Sequence, residues 1–212
     1  MMAMSSTTRA ETELAETDRT RLRRRSTRGT FARATANAIL DEALLANVGF
    51  STGEGPVVLP MTFVRLEHRL YLHGASGNAM LRNLAGDGEV CVNVTILDGL
   101  VLARSAFHHS MNFRSVVLFG RAVEVVDDGE KRSAMDALVE RMTPGRSAEA
   151  RPPTDSEMRA TLVVALDIDE GSVKIRTGGP VDDPEDMDLD VWAGHIPVTL
   201  KRGQPVPDGR PT

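Results

Sequence analysis

The sequence predicts a mainly β domain in which about six antiparallel strands close, or nearly close, a barrel flanked by two or three short helices. Three observations carry that expectation. Val90, Val92, Val94 and Ile96 alternate with Cys91, Asn93 and Thr95, the period-two signature of a half-buried strand. The run over residues 114–126 is long and β-branched. Strand and helix patterns never settle into the regular βαβ alternation that a doubly wound parallel sheet requires.

The elements follow in order. Residues 1–18 are polar and read as a disordered N-terminal tail, residues 19–198 as one domain, and residues 199–212 as a C-terminal tail. Over residues 36–46, Ile39, Leu40, Ala43 and Leu44 recur at helical spacing. Residues 48–51 and 57–64 read as the arms of a hairpin around a turn at Thr52-Gly53-Glu54-Gly55. Residues 69–74 form a third strand, with Leu70 and Leu72 on one face and Tyr71 and His73 on the other. Residues 77–84 predict a short helix that turns Met80, Leu81 and Leu84 inward. Residues 131–142 predict an amphipathic helix whose inner face is Ala134, Met135, Leu138, Val139 and Met142. Residues 160–168 and 173–176 make the last strand pattern, interrupted at Glu170-Gly171. Beyond Thr177 the chain is rich in Gly, Pro and Asp and reads as irregular.

The 25 basic and 30 acidic residues give a net charge of −5, which argues against a nucleic-acid partner. Arginines crowd residues 19–33 and carboxylates crowd residues 182–190, as solvated tails or intersubunit contacts do. The single cysteine, Cys91, excludes an intrachain disulfide and a cysteine zinc cluster; its valine-rich strand makes it an inert core thiol. No apolar run reaches the length of a membrane helix, and no signal or transit segment is evident, so a soluble cytoplasmic protein is expected.

The candidate chemistry concentrates in DGLVLARSAFHHSMNFRS, residues 98–115, where Arg104, Ser105, His108, His109, Asn112, Arg114 and Ser115 adjoin apolar strands. Two guanidinium forks suit a phosphate ester, or else pair with carboxylates. Asn112 offers both donor and acceptor to a heterocycle edge, or caps a turn. His73, Gly74, Ser76, Gly77 and Asn78 join a strand end to a helix start, where Ser76 either caps the helix or meets a phosphate. Neighbouring His108 and His109 cannot both ligate one ion from a regular strand, so no metal site is expected; a single axial histidine for haem remains open. No GxGxxG, P-loop or GxSxG pattern occurs. Trp192, in VWAGHIP, is a packing anchor or the wall of a ring-shaped ligand or dimer seam.

Six ordered blocks across residues 19–198, among them RTRLRRRSTRGTF, LYLHGASGNAMLRNLA, CVNVTILDGLVLARSAFHHSMNFRSVVLFG and KIRTGGPVDDPEDMDLDVWAGHIPV, carry a family resemblance. The chain resembles the flavin-nucleotide-binding split barrels of the pyridoxamine 5'-phosphate oxidase-like superfamily, in the nitroimidazole-resistance-type branch. The resemblance implies a six-stranded antiparallel Greek-key split barrel that dimerises and holds FMN between subunits. Pro60, Met61 and Thr62 would lie along the flavin ring, and His73, Gly74, Ser76 and Asn78 near the ring and its phosphate tail. Arg104, Ser105, Asn112, Arg114 and Ser115 would add polar contacts, and Lys174 and Trp192, with Arg176, would close the cleft. The chain departs from its relatives at Ala79, where a basic residue often stands near the phosphate, and at Phe31 and Phe113, where tyrosine is common. A lost cation there costs about 1.5–3 kcal/mol if it made a charged hydrogen bond, unless Arg82 or Arg114 compensates.

The implied activity is that of an FMN-dependent oxidoreductase passing hydride or electrons to an unidentified small molecule, with NADH or NADPH as donor. His73 is the one candidate proton donor. The alternative is a non-catalytic protein that sequesters flavin or haem, since no acid or base stands out; deazaflavin or haem are the alternative cofactors.

Overall fold

The computed structural model describes residues 12–86 and 88–209. The chain divides into two compact units, Met1–Ile96 with Arg114–Ile175 and Leu97–Phe113 with Arg176–Thr212.

The first unit grows from a change of period. In α1 (Arg33–Glu42) Ala36, Ile39 and Leu40 are buried at helical spacing, and the Ala43 N–H closes the helix on the Ile39 carbonyl at 3.1 Å. Burial then alternates in twos at Ala46, Val48 and Phe50, and the chain becomes β2 (Leu45–Thr52). The helix therefore begins and ends three to four residues earlier than its apolar pattern suggests, because Ala46 already serves the strand period. β3 (Gly55–Leu66) returns antiparallel on β2, and β4 (Arg69–Ala75) returns on β3. α2 (Ala79–Ala85) buries Met80, Leu81 and Leu84 as its pattern requires.

β5 (Glu89–Leu102) and β6 (Ser110–Arg121) are long strands that run on into the second unit. Ala122 ends β6, and β7 (Val123–Glu124) pairs with a different strand, β8 (Thr161–Asp167), so the single β-branched run at 114–126 is two strands around a corner. β9 (Glu170–Arg176) pairs with β1 (Gly29–Thr30). The sheet order is β1-β9-β6-β5-β2-β3-β4-β8-β7. With β10 (Gly194–Pro197) on β5 there are ten strands among the described residues, in the split-barrel class expected but with more members. The excess over six has a simple source: β1, β7 and β10 are too short to show a period, and the last strand pattern is two strands.

β4 and β8 are buried on both faces. Phe63, Leu70, Leu72, Leu162, Val164 and Leu166 join the main core, while Val64, Tyr71, Val163 and Ala165 face α3 (Asp128–Met142) through Ala134 and Leu138. α3 starts three residues before its apolar stripe because Asp127 caps it, accepting from the Glu130 N–H at 2.7 Å. Met142, expected inward, is exposed. Two further short helices, α4 (Arg146–Glu149) and α5 (Asp155–Ala160), lead into β8, the latter through a Thr154/Glu157 capping box. Cys91 is half-buried, and burial pushes its thiol pKa up, as suits an inert thiol.

Of the segment read as a tail, residues 1–11 lie outside the described residues and residues 12–18 pack on the first unit. Leu14 is buried, its N–H bonds the Phe31 carbonyl, and the Ala15 N–H bonds the Asp169 carbonyl, both at 2.7 Å. Arg19 then grips Glu170 through Nε at 2.7 Å and Nη2 at 2.6 Å, its guanidinium lying 4.7 Å over the Phe119 ring. Residues 199–209 are exposed and irregular. No helix among the described residues is long and apolar enough to cross a membrane.

Two outcomes test this packing. A Cβ at Gly171 would sit 2.6 Å from the Val117 carbonyl oxygen, which is strand backbone and cannot move aside. Gly171→Ala should therefore lower stability by roughly 1–3 kcal/mol in urea unfolding. Arg19 holds the Glu170 carboxyl below its ordinary value, against the opposing push of burial. The strap's contribution is thus complete above the ordinary carboxylate range and lost as pH falls through the depressed value. Amide exchange over residues 12–20 should rise only at that acid end.

Candidate functional site

In the first unit, β4 ends and α2 begins around the residues expected to meet a cofactor. Asn78 caps the helix, its Oδ1 accepting from the Leu81 N–H at 3.1 Å. Ser76, read as either a cap or a phosphate contact, does not cap the helix and is exposed; its N–H bonds the Ala160 carbonyl at 2.8 Å and its carbonyl accepts from Arg82 Nε at 2.7 Å. Gly74 has a packing reason: a Cβ there would meet Leu81 Cδ1 at 2.8 Å. Beside the helix start lies a cavity of about 560 Å³ lined by Phe50, Thr52, Leu59, Asn78, Ala79, Met80 and Asn83. Its size suits a small molecule, and its apolar walls with two amides and one hydroxyl suit a flat heterocycle with a polar rim. None of these lining residues titrates near neutrality, so the wall offers shape and hydrogen bonds rather than an acid or base.

On β3, Met61 is half-buried against the main core, while Pro60 and Thr62 lie on the opposite face of the pleat. His73 shares the face of Tyr71, pairs in register with Val163, and is not among the cavity's lining residues. Its Nδ1 is buried without a partner, and burial lowers its pKa, so the ring is neutral at physiological pH. Arg114 pairs with Glu42 at 2.8 Å through Nη2. Ser115 Oγ donates to the Lys174 carbonyl at 3.4 Å. Arg82 and Arg114, the two cations able to compensate for Ala79, are thus both engaged.

The second unit gathers the other candidates around two acidic hooks. Asp182 accepts from the Arg104 N–H at 2.9 Å and from Arg104 Nη1 at 2.8 Å. Burial pushes the Asp182 carboxyl up, but these donors outweigh it and hold its pKa below the ordinary value. Asp183 meets His108 Nε2 at 3.0 Å. Ser105 caps the turn at 106–108, accepting from the Phe107 N–H at 3.2 Å, while its carbonyl takes His109 Nδ1 at 3.0 Å. Buried Arg176 donates to Asn112 Oδ1 and to the carbonyls of Gly178 at 3.2 Å and Gly179 at 2.9 Å. Asn112 Nδ2 closes the ring on Gly178 at 3.0 Å. Trp192 is exposed and packs over Gly194.

Sequence reasoning did not give Asp182 and Asp183 their partners, which lie more than seventy residues away, nor Arg176 its central place. The signal available was a lone arginine before a Gly-Gly pair.

A family model described as pyridoxamine 5'-phosphate oxidase matches residues 32–175. Among solved structures, the chain is 39% identical to the flavocytochrome Anf3 of Azotobacter vinelandii, with 94% of this chain and 92% of that one covered and a TM-score of 0.88. It is also 39% identical to the FAD and haem binding protein of Mycobacterium smegmatis, over 87% and 93%, with a TM-score of 0.81. A candidate 5-nitroimidazole antibiotic resistance protein of Bacteroides thetaiotaomicron is 25% identical over 68% and 86%, with a TM-score of 0.57. No curated protein matches.

Removing the Arg176 head as Arg176→Met leaves the two glycine carbonyls and Asn112 Oδ1 without their charged donor. The cost should be at least about 1.5–3 kcal/mol. Hydrogen exchange should show it first across residues 97–113 and 176–198.

Proposed function

This chain belongs to the pyridoxamine 5'-phosphate oxidase family, and from that footing we propose that it holds a flavin together with a haem and passes electrons as a homodimer. Two relatives of equal identity support this, one named a flavocytochrome and the other an FAD and haem binding protein. Haem is then a companion of the flavin rather than its replacement. The flavin is a phosphorylated one, FMN or FAD, with NADH or NADPH as the electron source and a small molecule as acceptor. Bound, the two groups supply hydride acceptance and single-electron transfer.

The observation that carries the reading is the state of His109. A carbonyl oxygen only accepts, so the 3.0 Å contact with Ser105 fixes the imidazole proton on Nδ1 and leaves Nε2 a free lone pair. An imidazole oriented in this way would suit a haem iron, and His109 is the residue that would hold it. Phe107 and Met111, two residues to either side, are exposed apolar side chains of the kind a porphyrin covers. His108 is committed to Asp183. His73 is neutral but nothing orients it. The cavity beside α2 fits the flavin ring, with Asn78, Asn83 and Thr52 facing its polar edges.

Dimerisation draws on the outer face of β2 and β3, where Leu45, Val58 and Pro60 are exposed together. A second copy would cover it. The cavity's lack of an acid or base favours one rival, a carrier that stores its groups without turnover.

The protein should purify with both a flavin band and a Soret band, and run as a dimer in light scattering. His109→Ala should lose haem affinity by about tenfold or more and keep its flavin, with free imidazole restoring the Soret position. Neither chromophore, in protein given both groups, would refute the proposal. Flavin that NADH and NADPH leave oxidised would favour the storage reading.

A further inference from the structure

The turn that leads into β1 carries Arg23, Arg24 and Arg25, all exposed, and Arg28, half-buried. Lys174 of β9 joins them: its Nζ donates to the Arg24 carbonyl at 3.4 Å, and its backbone pairs with Gly29. Several other guanidinium groups in this unit meet acceptors, as Arg19 meets Glu170, Arg65 meets Asp41 and Arg114 meets Glu42. The side chains of Arg23, Arg24, Arg25 and Arg28 have none among the described residues, although acids outnumber bases in the chain by 30 to 25. Like charges set this close repel, and an anion between them removes the repulsion.

The backbone agrees. Arg25 sits in the left-handed region at φ 54°, ψ 50°, where side chains other than glycine are rare, and leads directly into the 3-10 turn Ser26–Arg28. A left-handed residue beside a right-handed turn gathers successive N–H groups into a concave anion seat. No side chain caps that turn. The start of α2, at Asn78, Ala79 and Met80, has no cation, and Arg82 is spent on Ser76. A dinucleotide's two phosphates therefore need charge from another place.

We propose that this arginine turn with Lys174 binds the diphosphate of a dinucleotide, an occupant whose identity rests on the cofactor reading above. Two adjacent phosphates can accept several guanidinium forks at once, which a single carboxylate cannot. The diphosphate belongs either to a flavin adenine dinucleotide or to a nicotinamide dinucleotide donor.

Inorganic pyrophosphate, titrated calorimetrically into the full-length protein, should bind, and bind more weakly as salt is raised. The triple variant R23A/R24A/R25A should weaken it by about tenfold or more, while R23K/R24K/R25K retains an intermediate affinity. The altered side chains are exposed, so an unchanged melting temperature verifies the fold. If the flavin is the source, the alanine variant weakens FAD and leaves FMN unchanged; if the nicotinamide is, KM for NADH or NADPH rises instead. Pyrophosphate that ignores the wild type, or binds the triple variant equally, overturns the site and leaves the cofactor reading standing. Pyrophosphate bound through these arginines in a protein that takes neither flavin nor haem keeps the site and removes that reading.

Discussion

A guanidinium taken out of water has to be given oxygens, and much of the irregular structure in this protein is the answer to that demand. In the second unit Arg176 collects two glycine carbonyls and an amide oxygen, and the Arg104 guanidinium takes one oxygen of Asp182, whose other oxygen accepts from the Arg104 backbone N–H. In the first, Arg141 reaches the carbonyls of Leu40 and Ala43, the last turn of α1 and its cap, while lying over the Phe63 ring at 4.7 Å. Burial lowers the Arg141 pKa, and the helix-end carbonyls are the natural partners for a cation there. Segments rich in Gly, Pro and Asp, which have little apolar surface to bury, are pinned by these cations instead.

The same demand explains what could be read from the residues alone. Periodicity is local, so the strands around Val92 and Leu72 and the inward faces of α1 and α2 were all visible. Element ends were less so: α1 stops where Ala46 enters strand spacing, and α3 starts where Asp127 caps it, both decided by one or two residues. The corner at Ala122 was invisible because the residues on either side are equally β-branched; only their partners differ. Acceptors for Arg104, Arg114 and Arg19 lie far along the chain, and no spacing rule connects them.

Among the candidate site residues, the structure shows packing and bracing contacts that residue type alone did not reveal. Gly74 stood out beside a phosphate-like junction, and close contact with Leu81 is reason enough for a glycine there. Asn112 stood out as a heterocycle contact, and it braces Arg176. His109 was weighed with His108 as a pair, yet the two differ: one is tied to a carboxylate through Nε2 and the other is held by a carbonyl through Nδ1. Which partner each ring met could not be told from two adjacent letters.

The cavity beside α2 has a further consequence. Because the residues that wall it carry no ionisable side chain, acidification or alkalinisation of the surroundings leaves its own electrostatics untouched. A ring seated there would be held by fit and by neutral hydrogen bonds. Sensitivity of the protein to its medium must then enter elsewhere, as it does at the Glu170 carboxyl that holds Arg19, so steady retention and response to the surroundings fall to different residues.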